Sequence, residues 1–257
     1  MKKYFLFLGI FIGSAQAQQQ KQTGFRVEGH IRGIADKSVV TLTDANKPTD
    51  TLARTTVKAG VFVLTGQVTE PNLLILNLGS AKKKTSLFIG NETVALTGDV
   101  ENLSAMQVKG SSSETDFLFF EQTFNPYFRQ ISQLSQLANS AEGVSKKDSI
   151  GNAYQIAVMS IQVKVDSFIQ QRKSSYVSPF LLVVVNQLSD DIFLLERRYQ
   201  GLSPEVQQSM YGKYLRETID NGKVGAVGSE AMDFTQADTA GNPVSLSSFK
   251  GSSESHA

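Results

Sequence analysis

The chain has 257 residues, of which 40% are hydrophobic and 19% are charged, and its formal net charge is +1. This length allows about one or two domains, and the near-neutral charge gives no electrostatic basis for binding a nucleic acid or an anionic membrane. The sequence contains no cysteine, which excludes a disulfide framework, a cysteine-ligated zinc site and thiol catalysis by these residues.

The N-terminus has the three parts of a signal peptide. Lys2-Lys3 is a positive region, residues 4–12 form an apolar region, and Ala15-Gln16-Ala17 is a small-x-small cleavage signal. The apolar run is too short to span a membrane. We therefore predict a cleaved Sec signal peptide over residues 1–17 and an exported mature chain that starts near Gln18. An uncleaved anchor is the less favoured alternative.

Residues 24–110 follow the pattern of short β-strands. Apolar or small residues occupy every second position from Phe25 to Ile31, which is the period of a half-buried strand. About seven to nine such segments are separated by turn signals, a spacing typical of a sandwich. We predict an antiparallel β-sandwich or partly open barrel. In it, residues 52–57 pair with 61–68, residues 84–89 pair with 92–96, and the apolar run 73–78 forms a buried strand.

Residues 111–222 change to the period of amphipathic helices. Ser111 is a candidate N-cap, and Glu114 is placed to complete a capping box. Pro126 interrupts the first helix, so we predict a kink or a break there. Further helices are predicted over residues 145–173, 180–188 and 204–220. The last of these is predicted to bury Met210, Tyr214, Leu215 and Ile219.

Residues 227–251 have the order of a short hairpin. Phe234 begins a strand, residues 238–242 form a turn, and residues 244–246 alternate as in a second strand. Residues 252–257 do not continue this pattern and are treated as an atypical tail.

This hairpin resembles the opening of thioredoxin-like proteins of the TlpA/ResA and AhpC/TSA type, which reads G-x-x-A-P-D-F-x-L-x-D-x-x-G-x-x-V-x-L-S-x-F-K-G-K. Met232 stands where the family has proline, and Gln236 stands where leucine is common. The residues that match are Gly228, Ala231, Asp233, Phe234, Asp238, Gly241, Val244, Leu246, Phe249, Lys250 and Gly251.

The earlier part of the chain resembles the N-terminal domain of unknown function that precedes thioredoxin-like domains in many Gram-negative periplasmic proteins. The segments that carry this resemblance are FRVEGHIRG at 25–33, VTL at 40–42, KAGVFVLTGQV at 58–68 and LFIGNETVALTGD at 87–99.

Together the resemblances imply the N-terminal domain and helical spacer of a periplasmic thiol-disulfide oxidoreductase, truncated just before the family's W-C-x-x-C segment. No residue here matches that segment, so no catalytic residue is assigned. The region would position the catalytic domain, mediate dimerisation or select protein clients. If the missing part held a single peroxidatic cysteine, the protein would be a truncated peroxiredoxin relative. A different alternative is a stand-alone, non-enzymatic periplasmic binding or assembly module.

The sequence offers few candidates for chemistry. His30 lies on the polar face of the first strand, with no second ligand at metal-binding spacing. Asp190-Asp191 is best explained as a helix cap. Glu114, Asp116 and Glu121 lie near a helix start, where the dipole favours them, and we assign them no acid–base role. We predict no catalytic, metal-binding or cofactor-binding residue and no bound cofactor.

The aromatic run of the first helix is its most suggestive feature. We favour packing of this run on the β domain. The alternative is a homodimer interface through the helical segment, because Phe119 falls outside the main apolar stripe. The candidate interface residues are Phe117, Phe119, Phe120, Phe124 and Phe128.

Overall fold

The computed structural model describes residues 23–79, 83–140, 143–224 and 233–250. The predicted α+β fold is confirmed, with a β-sandwich first, a helical segment next and a small hairpin last. The predicted signal peptide at 1–17, the tail at 252–257, and residues 227–232 and 251 of the predicted hairpin lie outside the described residues. The elements are β1 (Phe25–Arg32), β2 (Val39–Asp44), β3 (Thr51–Thr56), β4 (Val61–Gly66), β5 (Asn72–Leu78), β6 (Lys83–Ile89), β7 (Thr93–Asp99), β8 (Gln107–Lys109), α1 (Ser112–Ser140), α2 (Val144–Gln171), α3 (Val177–Val185), α4 (Ile192–Gln200), α5 (Pro204–Gln207), α6 (Met210–Lys223), β9 (Thr235–Ala237) and β10 (Pro243–Ser245).

The sandwich consists of two four-stranded sheets, with strand orders β4-β1-β7-β8 and β3-β2-β5-β6. Their strand pairs are antiparallel except for β1 and β7, which are parallel. The alternation predicted for β1 is confirmed, because Phe25, Val27 and Ile31 are buried between the sheets. The predicted buried strand at 73–78 is instead alternating: Leu74, Leu76 and Leu78 are fully buried, and the residues between them are half-buried.

The two predicted hairpins of the sandwich turn out to be crossings between the sheets. Lys58 and Val61 exchange backbone hydrogen bonds of 2.9 and 3.0 Å, so the predicted turn at 58–60 is present. However, β3 pairs with β2 and β4 pairs with β1, in different sheets. The predicted pairing of β6 with β7 is wrong, because β6 pairs with β5 and β7 pairs with β1, in different sheets. Between β6 and β7, the Asn91 side chain binds the backbone of Val68 at 2.9 and 2.6 Å. That contact leads the chain from one sheet to the other.

The helical segment forms a second hydrophobic core that continues onto the sandwich. Phe88 of β6 belongs to this helical core, whereas its neighbours Leu87 and Ile89 point into the sandwich. α1 is not broken at Pro126. Proline has no backbone amide, so the carbonyl of Gln122 lacks its usual helical donor. Both Pro126 and Gln122 are exposed, so water can bind this carbonyl instead.

The predicted helix over 204–220 is two helices. α5 has only four residues, and α6 begins anew at Ser209, whose hydroxyl accepts a hydrogen bond from the Gly212 amide at 3.1 Å. The restart changes which face is buried. Leu215 and Ile219 are buried as predicted, but Met210 and Tyr214 are 37% and 55% exposed, so the prediction was wrong for these two.

Three hydrogen bonds of α6 connect the elements of the chain. The Tyr211 hydroxyl accepts from the Asn46 side-chain amide at 2.9 Å, and the Met210 amide donates to the Glu70 carboxylate at 2.6 Å. At the other end of α6, Lys223 donates to Glu196 of α4 at 3.0 Å. The sandwich, α4 and α6 are therefore joined by polar contacts as well as by the shared core.

Candidate functional site

The structure uses the aromatic run of α1 mainly inside the chain. Phe117, Phe120 and Phe124 are buried, and the Phe117 ring lies 5.7 Å from the Phe88 ring of β6. This confirms the favoured prediction that the helix packs on the β domain. Phe128 is half-buried beside Phe124. The homodimer interface stays a prediction, and the buried rings are available to it only if this core opens.

Phe119 is the most exposed of the five, at 39%. The guanidinium carbon of Arg172 lies 3.9 Å from the centroid of this ring. The same side chain donates to Asp116 at 2.9 Å and lies 5.1 Å from the centroid of Phe168, whose ring is stacked 5.8 Å from that of Phe119. A cation over an aromatic face, held by a carboxylate, stabilises the junction of α1 and α2. The position outside the main stripe therefore has an explanation within the chain.

His30 and the aspartate pair occupy the places that their sequence context indicated. His30 is exposed on the outer face of β1, in register with Val61 and Thr97. Asp191 caps α4, because its carboxylate accepts from the Leu194 amide at 2.9 Å. Among the residues that the structure describes, no group of three acidic or histidine side chains is arranged to hold a metal ion.

Glu114 is an unusual titratable group, because its carboxyl group is buried. Ser111 caps α1 as predicted, accepting from the Glu114 amide at 3.0 Å. The Glu114 side chain does not close the predicted capping box. It is only 2% exposed, and its carboxylate accepts from the backbone amide of Phe88 at 2.6 Å. The second half of the local motif is thus replaced by a contact with β6.

Burial raises the pKa of Glu114 to about 7. The Phe88 amide opposes this rise because it stabilises the carboxylate, whereas the nearby charges of Glu121 and Glu92 add to it. Burial also raises the pKa of Glu121, which lies about two turns further along the same face of α1. A carboxyl group that titrates near neutrality beside a cleft is a physical indicator of a functional site.

Glu114 lies in the wall of a cleft of about 550 Å³ between α1, β6 and the segment before β8. The cleft combines carboxylates, cations, amides and apolar side chains without an excess of one charge. Its lining residues are Lys84, Thr85, Ser86, Leu103, Ser104, Met106, Val108, Glu114, Leu118, Glu121, Gln122, Asn125, Pro126 and Arg129. This composition suits the binding of a neutral or mixed polar ligand. Sequence reasoning placed Glu114 at a helix start but had no signal for its partner on β6.

None of the helices in the described part of the chain is both long enough and apolar enough to cross a bilayer.

Residues 25–117 match the family model described as a domain of unknown function, DUF4369. The match runs from the first residue of β1 through the first turns of α1, so it includes both Glu114 and its partner Phe88. A comparison with curated proteins finds no match for the chain. The sandwich thus matches a domain whose function is not assigned, and the matched range includes the start of the helix that packs against it.

Proposed function

We propose that this chain is the non-catalytic region of an exported thiol-disulfide oxidoreductase of the thioredoxin-like type, where it positions the catalytic domain and helps to select its protein clients. The match to a domain of unknown function over residues 25–117 is compatible with this role. The sequence has no cysteine, so the thiol chemistry of such a protein would reside outside these residues.

The observation that carries the proposal is the hairpin at 233–250. β9 pairs with β10, and the Asp238 carboxylate organises the turn by accepting from the amides of Ala240 and Asn242 at 2.8 Å each. Phe234 at its start is 58% exposed. A two-stranded ribbon with three-residue strands is not stable in water by itself. We therefore infer that it works as part of a larger sheet, and the resemblance of its sequence suggests a thioredoxin-like one.

The anchoring of α6 supports a positioning role. The chain reaches the hairpin from α6, and α6 is tied to the sandwich by the Asn46–Tyr211 and Glu70–Met210 hydrogen bonds. A catalytic domain that follows α6 would be connected to a well-packed base. Its distance from the sandwich would then be limited by the few residues between α6 and the hairpin.

The test is a thiol count on the native polypeptide. The protein is captured from its own cells with an antibody against residues 25–224, reduced, alkylated and weighed intact. We expect a polypeptide that carries two alkylated cysteines and reduces insulin. The purified 257-residue chain, as a matched control, should show no insulin reduction above a buffer blank. A single alkylated cysteine with peroxide reduction would identify the peroxiredoxin alternative instead.

A native polypeptide with no thiol, whose mass corresponds to residues 18–257, would overturn the proposal. It would favour the second candidate, a stand-alone binding module of the periplasm. The cleft beside Glu114 is the observation that favours this candidate, because a module without chemistry still requires a place to bind its partner.

A further inference from the structure

The cleft beside Glu114 is bordered by an open strand edge. Among the strands that the structure describes, β6 is the last of its sheet and has β5 as its one partner. The Phe88 amide points away from β5, since it donates to Glu114. Backbone direction alternates along a strand, so Ser86 and Lys84 turn their amides and carbonyls the same way as Phe88. Both residues line the cleft.

Glu114 takes the place of a neighbouring strand at one position of this edge. Its carboxylate accepts from the Phe88 amide at 2.6 Å, which is where the carbonyl of an added strand would bind. Within the described residues, no hydrogen bond reaches the outward amides of Ser86 and Lys84. The edge is therefore satisfied at one end by a side chain and open over the next two outward-facing residues.

The cleft has the dimensions of an extended peptide. Lys84 and Phe88 are about 13 Å apart along the strand, at a rise of roughly 3.3 Å per residue. The facing wall of α1 extends from Glu114 to Arg129, about 22 Å at 1.5 Å per residue. Apolar contacts come from Leu118 and Met106, and the volume is about 550 Å³. An extended segment of about four or five residues fits such a space.

We propose that this groove, formed by the edge of β6 and the facing stripe of α1, binds an extended segment of another polypeptide as an added β-strand. Its backbone bonds to Ser86 and Lys84, and its apolar side chains pack on Leu118 and Met106. Strand addition takes its affinity from main-chain hydrogen bonds and its selectivity from alternate side chains. The two carboxylates and two cations of the walls balance each other, so recognition depends on the backbone rather than on net charge.

The occupant is a different polypeptide rather than a second copy of this chain. Lys84 is exposed on the open edge, and pairing two copies of this strand would bring like lysine charges together across the new pair, which is destabilising. The inference deepens the client selection of the proposed function, but the groove requires no catalytic region and its test involves no thiol, so either proposal can fail without the other.

The test measures binding of a permanently unfolded protein to the full chain. The probe is fluorescein-labelled lactalbumin that has been reduced and carboxymethylated, and native disulfide-bonded lactalbumin is the folded control. Ser86→Pro removes one outward amide and leaves the β5–β6 bonds in place, because proline is tolerated where an edge amide faces solvent. When the chain is added, we expect the fluorescence anisotropy of the unfolded probe to rise and that of native lactalbumin to stay constant. Ser86→Pro should weaken binding of the unfolded probe by about tenfold or more.

Thr65→Pro is the matched control. Thr65 lies opposite Arg26 in β4, the edge strand of the other sheet. The Arg26 amide donates towards β7, to the Glu92 carbonyl at 2.9 Å, so the amide of Thr65 also faces outwards. In the described part of the chain the main neighbours of β4 are the strands β1, β2 and β3, whereas β6 faces α1. Thr65→Pro should therefore leave the affinity for the unfolded probe unchanged.

Hydrogen exchange on the unmodified chain keeps the test independent of the variants. The amides of Ser86 and Lys84 should exchange more slowly when the unfolded probe is added, and the Thr65 amide should not change. Equal binding by the parent and a folded Ser86→Pro variant, or no change in exchange at Ser86, would overturn the proposal. Protection that rises with protein concentration before any probe is added would make the occupant a second copy, and this would also overturn it.

Discussion

Replacing Glu114 with glutamine is expected to stabilise the protein above neutral pH. The carboxyl group has an ordinary pKa of 4.5, and burial raises this pKa to about 7 in the folded state. Below pH 4.5 the carboxyl group is protonated in both the folded and the unfolded state. Its burial then involves no charge, and its ionisation does not lower the free energy of unfolding. Between pH 4.5 and about 7 the unfolded chain ionises this group while the folded state keeps it protonated, so the free energy of unfolding falls by about 1.4 kcal/mol per pH unit. The loss reaches about 3 kcal/mol and stays constant above the folded pKa, where folding buries a charge.

Glu114→Gln keeps an oxygen for the Phe88 amide but cannot ionise. The carboxylates of Glu121 and Glu92, which raise the pKa of Glu114, no longer repel a charge there. Lys84 and Arg129, in the same cleft, lose an attractive partner, which makes the gain somewhat smaller. We therefore expect the variant to match the parent near pH 4.5 and to exceed it by about 2 to 3 kcal/mol at pH 8.

The assay is urea unfolding of both proteins at pH 4.5, 6 and 8. Glu101→Gln is the control, because its side chain is 80% exposed in a surface ion pair with Lys83, and its effect should stay within about 0.5 kcal/mol at every pH. Parallel pH profiles for the parent and Glu114→Gln would refute the reasoning. So would a variant that is less stable than the parent at pH 8.

The remaining predictions concern packing and backbone conformation. Phe124→Ala removes a fully buried ring and should lower the free energy of unfolding by about 3 to 5 kcal/mol; Leu137→Ala, at a 52% exposed position of the same helix, should change it by less than about 1 kcal/mol in the same urea titration. Gly110→Ala should be destabilising by more than about 1 kcal/mol, because φ there is +98° and an added Cβ would collide with the Thr93 carbonyl. Gly151→Ala, in α2 with open space around it, should raise the thermal midpoint, since alanine favours a helix by up to about 1 kcal/mol. A neutral Gly110→Ala or a destabilising Gly151→Ala would contradict these two assignments.

The sequence predicted the elements well where one face of an element is buried. In β1 the two-residue alternation follows directly from a strand with one face in the sandwich. Ser111 and Asp191 were recognised as caps because a cap binds an amide only a few residues away. These signals are local, so a single sequence contains all the information that they require.

The sequence did not determine which strands lie in the same sheet. The signal at Gly90-Asn91 is the same for a hairpin and for a crossing, and only the contact of Asn91 with Val68 distinguishes them. Similarly, the phase of α6 depends on a new start at Ser209, which the apolar pattern did not reveal. The partner of Glu114 is 26 positions away on β6, and a capping motif predicts only the nearby donor.

The position of β6 explains why the candidate site lies at the junction of two parts of the chain. The side chain of Phe88 packs among the helices, while Ser86 and Lys84, which share its face, lie further along the strand where the cleft begins. The matched domain ends at residue 117, so it contains the open edge and Glu114 but not the wall from Leu118 to Arg129. A chain with the same sandwich and a different first helix would keep the backbone contacts of the edge. It would change the side chains that face a bound strand, so we infer that α1 sets the selectivity of the groove and β6 its affinity.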